Sequence, residues 1–307
     1  MNEKVSVLQV DNLSVAFSMY NKGLIKRDLE VIHELSIDVK KGEIVAVVGS
    51  SGSGKSILAH AIMGILPENA KTKGCIKYYN DELNEKYLRK VRGKDIAFIP
   101  QSVDFLDPLM KVGKQVVGIN GNKERQKEVF KKYNLDDKVA EMYPFQLSGG
   151  MARRVLIATA VMNEAKLIIA DEPTPGLNLE LAMETLNNFR EIADNGCGVL
   201  LITHDVDLAL NVADRIAVFY SGTIVEIAQV EDFIKGKDAL RHPYSKAFID
   251  ALPQNKFKEL PGFQPYAGNL PKGCLFCDRC SLRTDECSKT IKMRKVRDGE
   301  VRCINAT

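Results

Sequence analysis

Three groups of residues in this chain have types and spacings that could do chemistry. The first is the glycine-rich stretch Gly49-Ser50-Ser51-Gly52-Ser53-Gly54-Lys55-Ser56. Its glycines allow successive backbone N–H groups to converge on phosphate oxygens, Lys55 supplies a positive charge for the β- and γ-phosphates, and Ser56 supplies a hydroxyl for Mg²⁺. The stretch therefore predicts a nucleoside-triphosphate site, with all eight residues in contact with the nucleotide.

The second group is a pair of adjacent carboxylates, Asp171 and Glu172, which directly follow the apolar run Leu167-Ile168-Ile169-Ala170. A buried strand that ends in two carboxylates, downstream of a phosphate loop, suits Mg²⁺ coordination and activation of the attacking water. We expect Asp171 to hold Mg²⁺ and Glu172 to be the general base. The alternative is a pair of solvated turn acids, which the fully apolar run disfavours.

The third group consists of polar residues at the ends of other apolar runs. Gln101 directly follows a run ending at Pro100, where it could reach a metal ion or a water beside the phosphates; alone it is a weak signal. His204 follows the run 199–203. Because ligands in open α/β sheets gather at the carboxyl ends of strands, we expect His204 to sense the γ-phosphate, against the alternative of an ordinary loop histidine.

Two further candidates are less specific. Ser148 is a plausible helix N-cap, and Gly149 and Gly150 expose helical N–H groups that could bind an anion; as a bare Ser-Gly-Gly they could also be a flexible cap. Phe17 ends the first predicted strand and could stack on an adenine ring or cover the core.

The tail contains a cluster of cysteines. Their close spacing suits a [4Fe–4S] cluster or a tetrahedral zinc ion, and reduced, unligated thiols are the third alternative. We expect no secretory signal in the alternating N-terminal sequence, and in a reducing compartment clustered cysteines hold metal more often than they form disulfides. The cluster comprises Cys274, Cys277, Cys280, Cys287 and Cys303.

The elements that must position these residues alternate between strands and helices, which predicts an α/β fold. We expect buried strands at 44–48, 96–99, 167–170 and 199–203, and helices at 57–66, 149–161 and 185–193. An edge strand is predicted at 5–18, a loop at 21–27, an amphipathic helical region at 122–143 and a hairpin at 215–227.

Composition limits the classes of function. A chain of 307 residues can hold one large domain and an appendage. The net charge of +3 gives no indication of a nucleic-acid partner. No apolar run approaches the roughly 20 residues of a membrane span, so other chains would have to cross any membrane. Tail prolines and cysteines predict a separate, loop-rich piece, which divides the chain into 1–237 and 238–307, with a helical subdomain at about 102–165.

The ordered set GSSGSGKS, Gln101, LSGGM, LIIADEP and His204 resembles the ATP-binding subunit of an ABC transporter, over residues 1 to about 235. The resemblance implies a P-loop ATPase with a mixed central sheet, an antiparallel β subdomain and a helical subdomain. It also implies ATP and Mg²⁺ as ligands. Two such domains would close head to tail, with Ser148 and Gly150 acting on the partner's nucleotide. Phe17 matches the family's adenine-stacking aromatic.

The tail narrows the family. The stretch His242-Pro243-Tyr244-Ser245-Lys246-Ala247, followed by Leu270-Pro271-Lys272-Gly273-Cys274, resembles the extension of oligopeptide, dipeptide and nickel importers. That resemblance implies two transmembrane permease subunits, a paralogous second ATPase subunit and an extracytoplasmic binding protein, with this chain at the cytoplasmic face of the membrane. Some family members bind an iron–sulfur cluster at matching cysteines. The cargo and the choice between heterodimer and homodimer stay open.

The chain departs from the family pattern in three places. Asn178 stands where an aspartate is usual, which would alter communication between two ATP sites. Arg153 stands where a glutamine is common, which we expect to be tolerated. The stretch between Gln101 and LSGGM is short, which would shift the docking of membrane subunits.

Three rival functions are weighed against a transport ATPase. A soluble ABC ATPase would show tandem domains or a long coiled coil, and this chain has one motif set. A regulatory subunit without turnover would be expected to lose Lys55, Glu172 or His204, and all are present. An exporter is disfavoured by the tail.

Overall fold

The computed structural model describes residues 5–20, 25–118, 121–252, 255 and 258–306. The strands within these ranges are β1 (Ser6–Tyr20), β2 (Lys26–Lys40), β3 (Ile44–Val48), β4 (Ala70–Tyr78), β5 (Asp81–Glu82), β6 (Ile96–Ile99), β7 (Leu167–Asp171), β8 (Gly198–Thr203), β9 (Arg215–Tyr220), β10 (Thr223–Gln229), β11 (Arg294–Val296) and β12 (Gly299–Val301). The α-helices are α1 (Lys55–Met63), α2 (Glu85–Val91), α3 (Val112–Val117), α4 (Lys123–Lys132), α5 (Gly149–Val161), α6 (Leu179–Asp194), α7 (Val206–Leu210), α8 (Val230–Ile234) and α9 (Pro243–Asp250).

A mixed central sheet positions the candidate residues. Its strand order is β11-β12-β10-β9-β3-β8-β7-β6, and the five strands from β9 to β6 run parallel. Strands β3, β7 and β8 are buried along their whole length, as expected of β-branched runs covered on both faces. Because the parallel strands point the same way, the segments after β3, β6, β7 and β8 emerge at one edge. The predicted α/β fold with a mixed sheet is confirmed.

Each face of the central sheet supports its own hydrophobic core. Ile44, Ala46 and Val48 pack into the core shared with α5 and α6, whereas Val45 and Val47 pack into the core shared with α1 and a second sheet. That second sheet is antiparallel, with the order β2-β1-β4-β5. Successive side chains of β3 point to opposite faces of the central sheet, so this strand contributes to both hydrophobic cores.

Several predicted elements differ from the observed ones. Strand β1 is not an edge strand: it pairs with β2 on one side and with β4 on the other. Its alternating pattern reports one buried and one exposed face, and an interior antiparallel strand shows the same pattern. Of the predicted loop at 21–27, residues 21–24 lie outside the described ranges, and Lys26 and Arg27 belong to β2.

The predicted amphipathic helical region at 122–143 is α-helical only along α4. Asn134 has a left-handed backbone with φ of 51°, and two short 3₁₀ turns follow at Asp137–Glu141 and Pro144–Gln146. Helix α6 begins earlier than expected, at Leu179, because the Asn178 side chain accepts a hydrogen bond from the Leu181 N–H at 2.9 Å and caps the helix.

The tail joins the central sheet through β12, which pairs with β10. A buried carboxylate in β10 holds the beginning of the tail. Glu226 accepts hydrogen bonds from the N–H groups of Arg241 and His242, both at 2.8 Å. The Arg241 guanidinium also contacts Glu226, at 3.3 Å. The division of the chain at residue 237 stays a prediction. None of the helices in the described part of the chain is long and apolar enough to cross a membrane.

Candidate active site

The loop between β3 and α1 is shaped by its glycines. A Cβ on Gly49 would lie 2.4 Å from the carbonyl oxygen of Phe219, so the loop approaches β9 more closely than any side chain allows. Gly54 has a φ of 106° and is the N-cap of α1. The first N–H groups of α1 therefore point toward the loop, where an anion would satisfy them.

Lys55 lies in the centre of this loop. Its Nζ donates hydrogen bonds to the carbonyl oxygens of Gly49 and Ser50, both at 2.9 Å, and the residue is buried. Burial lowers the pKa of Lys55, and the charges of Glu172 and Asp171 act in the opposite direction. The ammonium is thus held between the loop carbonyls and the two carboxylates that follow β7.

Asp171 and Ser56 supply a donor set for a divalent cation. Asp171 is 1% exposed, Ser56 hydrogen-bonds to its carboxylate, and Oδ1 has no hydrogen-bond partner in the described part of the chain. Burial raises the pKa of Asp171, and the hydrogen bond with Ser56 partly offsets this. A buried carboxylate with a free oxygen beside a hydroxyl matches the oxygen ligands that Mg²⁺ prefers, so these residues fit that ion.

Glu172 is held in an uncommon backbone conformation and contacts His204. Its φ is 49°, which costs about 1–2 kcal/mol for a residue with a Cβ. The Glu172 N–H donates to the carbonyl of Ile202 at 2.9 Å, which fixes the bend to β8. Oε2 of Glu172 lies 2.7 Å from Nδ1 of His204. The acid is buried while the histidine side chain is 58% exposed, so the pair spans from the interior to the surface.

Gln101 is exposed directly after β6, and its carbonyl oxygen accepts a hydrogen bond from Arg153. The structure therefore brings the segments of Lys55, Asp171 and Glu172 to one edge of the sheet, with Gln101 attached to the neighbouring strand. These positions match the predicted strand ends.

The remaining candidates lie on other elements of the chain. Ser148 is exposed, and its hydroxyl accepts a hydrogen bond from the Met151 N–H at 3.3 Å, which confirms the predicted N-cap. In the described chain no hydrogen bond joins Ser148, Gly149 or Gly150 to the loop at 49–56. Phe17 is half-buried in β1, where it packs against the core beneath the second sheet.

No sequence pattern indicates the contact between the tail and the loop at 49–56. The Ser50 hydroxyl donates to Oε1 of Gln264 at 2.9 Å, and Ser221 donates to the carbonyl of Pro265 at 3.3 Å. Tyr244 of α9 also hydrogen-bonds to Ser50. No motif contains Gln264, so only the folded chain identifies it as a neighbour of the site.

The tail cysteines do not form the predicted metal site. All five are free thiols, and among the described residues no group of three or more His, Cys, Asp or Glu side chains is arranged to hold a metal ion. The chain places them in one region, since the Cys274 N–H donates to the Cys287 carbonyl at 2.8 Å. Burial raises the pKa of Cys274 to about 12, so this thiol is protonated at neutral pH. The iron–sulfur and zinc hypotheses are not supported by this arrangement.

Comparison with known proteins agrees with the geometry. The ABC transporter family model matches residues 32–175, and the model of the oligopeptide/dipeptide transporter C-terminal region matches residues 225–287. The dipeptide transport ATP-binding protein DppD of Bacillus subtilis is 34% identical, over 95% of this chain and 91% of that protein. The oligopeptide transport ATP-binding protein OppD of the same organism is 33% identical, over 90% and 81%. The probable D,D-dipeptide transport ATP-binding protein DdpD of Escherichia coli is 32% identical, over 97% and 95%.

Solved structures show the same fold. The dimeric structure of the bacterial ABC transporter cassette MJ0796 has a TM-score of 0.65 and 26% identity, covering 73% of this chain and 98% of that one. Its post-hydrolysis state, bound to ADP and Pi, has a TM-score of 0.64 and 25% identity, with the same coverage. This chain belongs to the ABC transporter family of ATPases and carries the C-terminal region found in oligopeptide and dipeptide transporters.

Proposed function

We propose that this chain is the ATP-hydrolysing subunit of an importer for dipeptides or oligopeptides, attached to the cytoplasmic face of the cell membrane by two permease subunits. One observation carries the proposal: Lys55, Asp171 and the Glu172–His204 pair emerge at the same edge of the central sheet. The names of three relatives, each a peptide transport ATP-binding protein, support peptide as cargo. We assign residues 1–237 to the ATPase domain and 238–307 to the extension.

In this mechanism the loop at 49–56 binds the phosphates through its N–H groups and Lys55, and Phe17 stacks on the adenine. Ser56, Gln101 and Asp171 would hold Mg²⁺, which would supply charge neutralisation for the phosphates. Glu172 takes a proton from the attacking water. Because its carboxylate is buried, few other groups compete with the water for hydrogen bonds to it.

His204 has two roles in the proposal. Its Nδ1 contact with Glu172 holds the general base in place, and its exposed ring reaches the γ-phosphate. Breaking of the phosphate bond removes that contact, so His204 reports whether ATP or ADP is bound.

The turn Ser148–Gly150 acts on the nucleotide of a second ATPase subunit. Its exposure at the start of α5 and the dimeric arrangement of the similar cassettes support this assignment. We propose a paralogous subunit as partner, with ATP-driven closure of the pair moving the permease subunits and an extracytoplasmic binding protein delivering the peptide. The tail cysteines take no part in this mechanism, because their arrangement does not fit a metal.

Uptake measurements in cells test the function and its cargo together. Cells carrying Lys55→Ala should lose accumulation of labelled peptides, while nickel accumulation stays unchanged. Lys41→Ala, in an exposed turn at the opposite edge of the sheet, is the matched control and should retain uptake. Loss of nickel uptake with normal peptide uptake would replace peptide by nickel as the cargo. Normal uptake of both would overturn the transport proposal.

A further inference from the structure

Arg153 is a buried arginine on α5 that the mechanism above does not use. It is 7% exposed. One terminal nitrogen donates to the carbonyl oxygen of Pro100 at 2.9 Å, and the other donates to that of Gln101 at 2.5 Å. Within the described part of the chain, its hydrogen bonds go to two consecutive main-chain carbonyls and not to a carboxylate. Removing a guanidinium from water costs free energy, so the burial of Arg153 against these carbonyls needs a physical reason.

The position of β6 explains why these carbonyls need a donor. Strand β6 is the last strand of the central sheet, and its pairing with β7 ends at Ile99 opposite Ala170. Beyond Ile99 the chain leaves the sheet, so a neighbouring strand cannot satisfy the carbonyls of Pro100 and Gln101. The planar guanidinium has two terminal nitrogens in a fixed geometry and can serve both oxygens at once. A glutamine has a shorter side chain with one terminal nitrogen and cannot reproduce this clamp. The ammonium of a lysine can donate to two consecutive carbonyls, as Lys55 does, but it lacks two separate nitrogens in a fixed geometry.

Arg153 also connects two parts of the site. It lies about one helical turn after Gly149 and Gly150, at the start of α5. Its guanidinium holds the main chain of Gln101, and Asp171 and Glu172 are near enough to act on it electrostatically. Arg153 is therefore one contact through which a displacement of the α5 tip would act on Gln101.

We propose that Arg153 is a positioning residue for Gln101: by holding the carbonyls of residues 100 and 101, it sets the direction of the Gln101 side chain and couples it to α5. This inference rests on the role proposed for Gln101 at the Mg²⁺ and the attacking water. It assigns Arg153 to the chemical step and not to the binding of ATP.

Steady-state ATPase kinetics of the assembled transporter test this role. Arg153→Gln should lower kcat about tenfold, and Arg153→Lys about threefold, because one ammonium replaces two donors in a fixed geometry. Both should leave the KM for ATP within about twofold, since the loop at 49–56 is untouched. Gln101→Ala should lower kcat at least as much. Because Arg153 acts through Gln101, the double variant Arg153→Gln/Gln101→Ala should be no slower than Gln101→Ala, within about twofold.

Arg190→Gln is the matched control. Arg190 also donates to main-chain carbonyls, those of Val212 at 3.3 Å and Gly42 at 3.4 Å, but at the opposite edge of the sheet. It donates as well to the carboxylates of Asp214 at 2.7 Å and Asp194 at 2.9 Å. The Arg190→Gln variant should leave kcat unchanged. Losses that multiply in the double variant, or a normal kcat in both Arg153 variants, would overturn the inference. If Arg153→Gln fails to assemble, Arg153→Lys decides. Absence of ATP hydrolysis in the wild type would instead refute the proposed function.

Discussion

Acid should destabilise this protein through His242. The residue is 1% exposed, and burial lowers its pKa to about 3, from an ordinary value of 6.5. Below pH 6.5 the unfolded chain therefore binds a proton that the folded chain does not. The free energy of unfolding should fall as the pH drops through 6.5 and continue to fall until about pH 3. At pH 5 the loss is about 2 kcal/mol, and it approaches about 5 kcal/mol at pH 3.

The contacts of His242 suggest the matched variant. Its Nδ1 accepts a hydrogen bond from the Tyr244 N–H at 3.0 Å, which caps α9. In His242→Asn the side-chain oxygen can accept the same bond, but the group does not titrate near neutral pH. Urea unfolding at pH 7 and pH 5 measures the effect: the wild type should lose about 2 kcal/mol more than the variant between the two. Equal losses would show that His242 is protonated in the folded chain and would refute the reasoning.

Three further predictions concern the site and the anchor of the tail. Glu172→Gln should retain ATP binding and lower phosphate release at least about 100-fold; release at the wild-type rate would exclude Glu172 as the base. Gly49→Ala should lower the free energy of unfolding by about 1–3 kcal/mol, because the new Cβ would clash with Phe219. Gly52→Ala meets no neighbour within 4 Å and should lower it by about 1 kcal/mol. Thermal unfolding measures both. Glu226→Ala should cost about 3–5 kcal/mol in urea unfolding and Glu226→Gln less; equal costs would contradict the importance of its acceptor oxygens.

Much of the candidate site could be predicted from the sequence because its parts depend on short segments. The apolar run before Asp171 specifies a buried strand whatever its neighbours are, and the glycines at 49, 52 and 54 specify a loop that side chains would block. His204 and Gln101 could be assigned to strand ends for the same reason. Their roles in catalysis remain proposals, since position alone does not establish chemistry.

The errors came from patterns that more than one structure satisfies. Alternation in β1 predicted an edge strand, but pairing on both sides leaves the same alternation. The cysteine spacing suited a metal site, yet spacing fixes only the distance along the chain and not the direction of each thiol. In the sequence, Arg153 stands out only as a departure from a family pattern. Its hydrogen-bond partner Gln101, after the end of β6, is 52 positions away along the chain.

The sequence by itself determined which segments become strands, loops and helices around the loop at 49–56, because propensity and hydrophobic pattern act over a few residues. Tertiary structure alone decided that the tail reaches the loop, where Ser50 and Gln264 meet across 214 positions, and that β12 extends the central sheet. Such contacts depend on how separate elements pack together, and no local pattern carries that information.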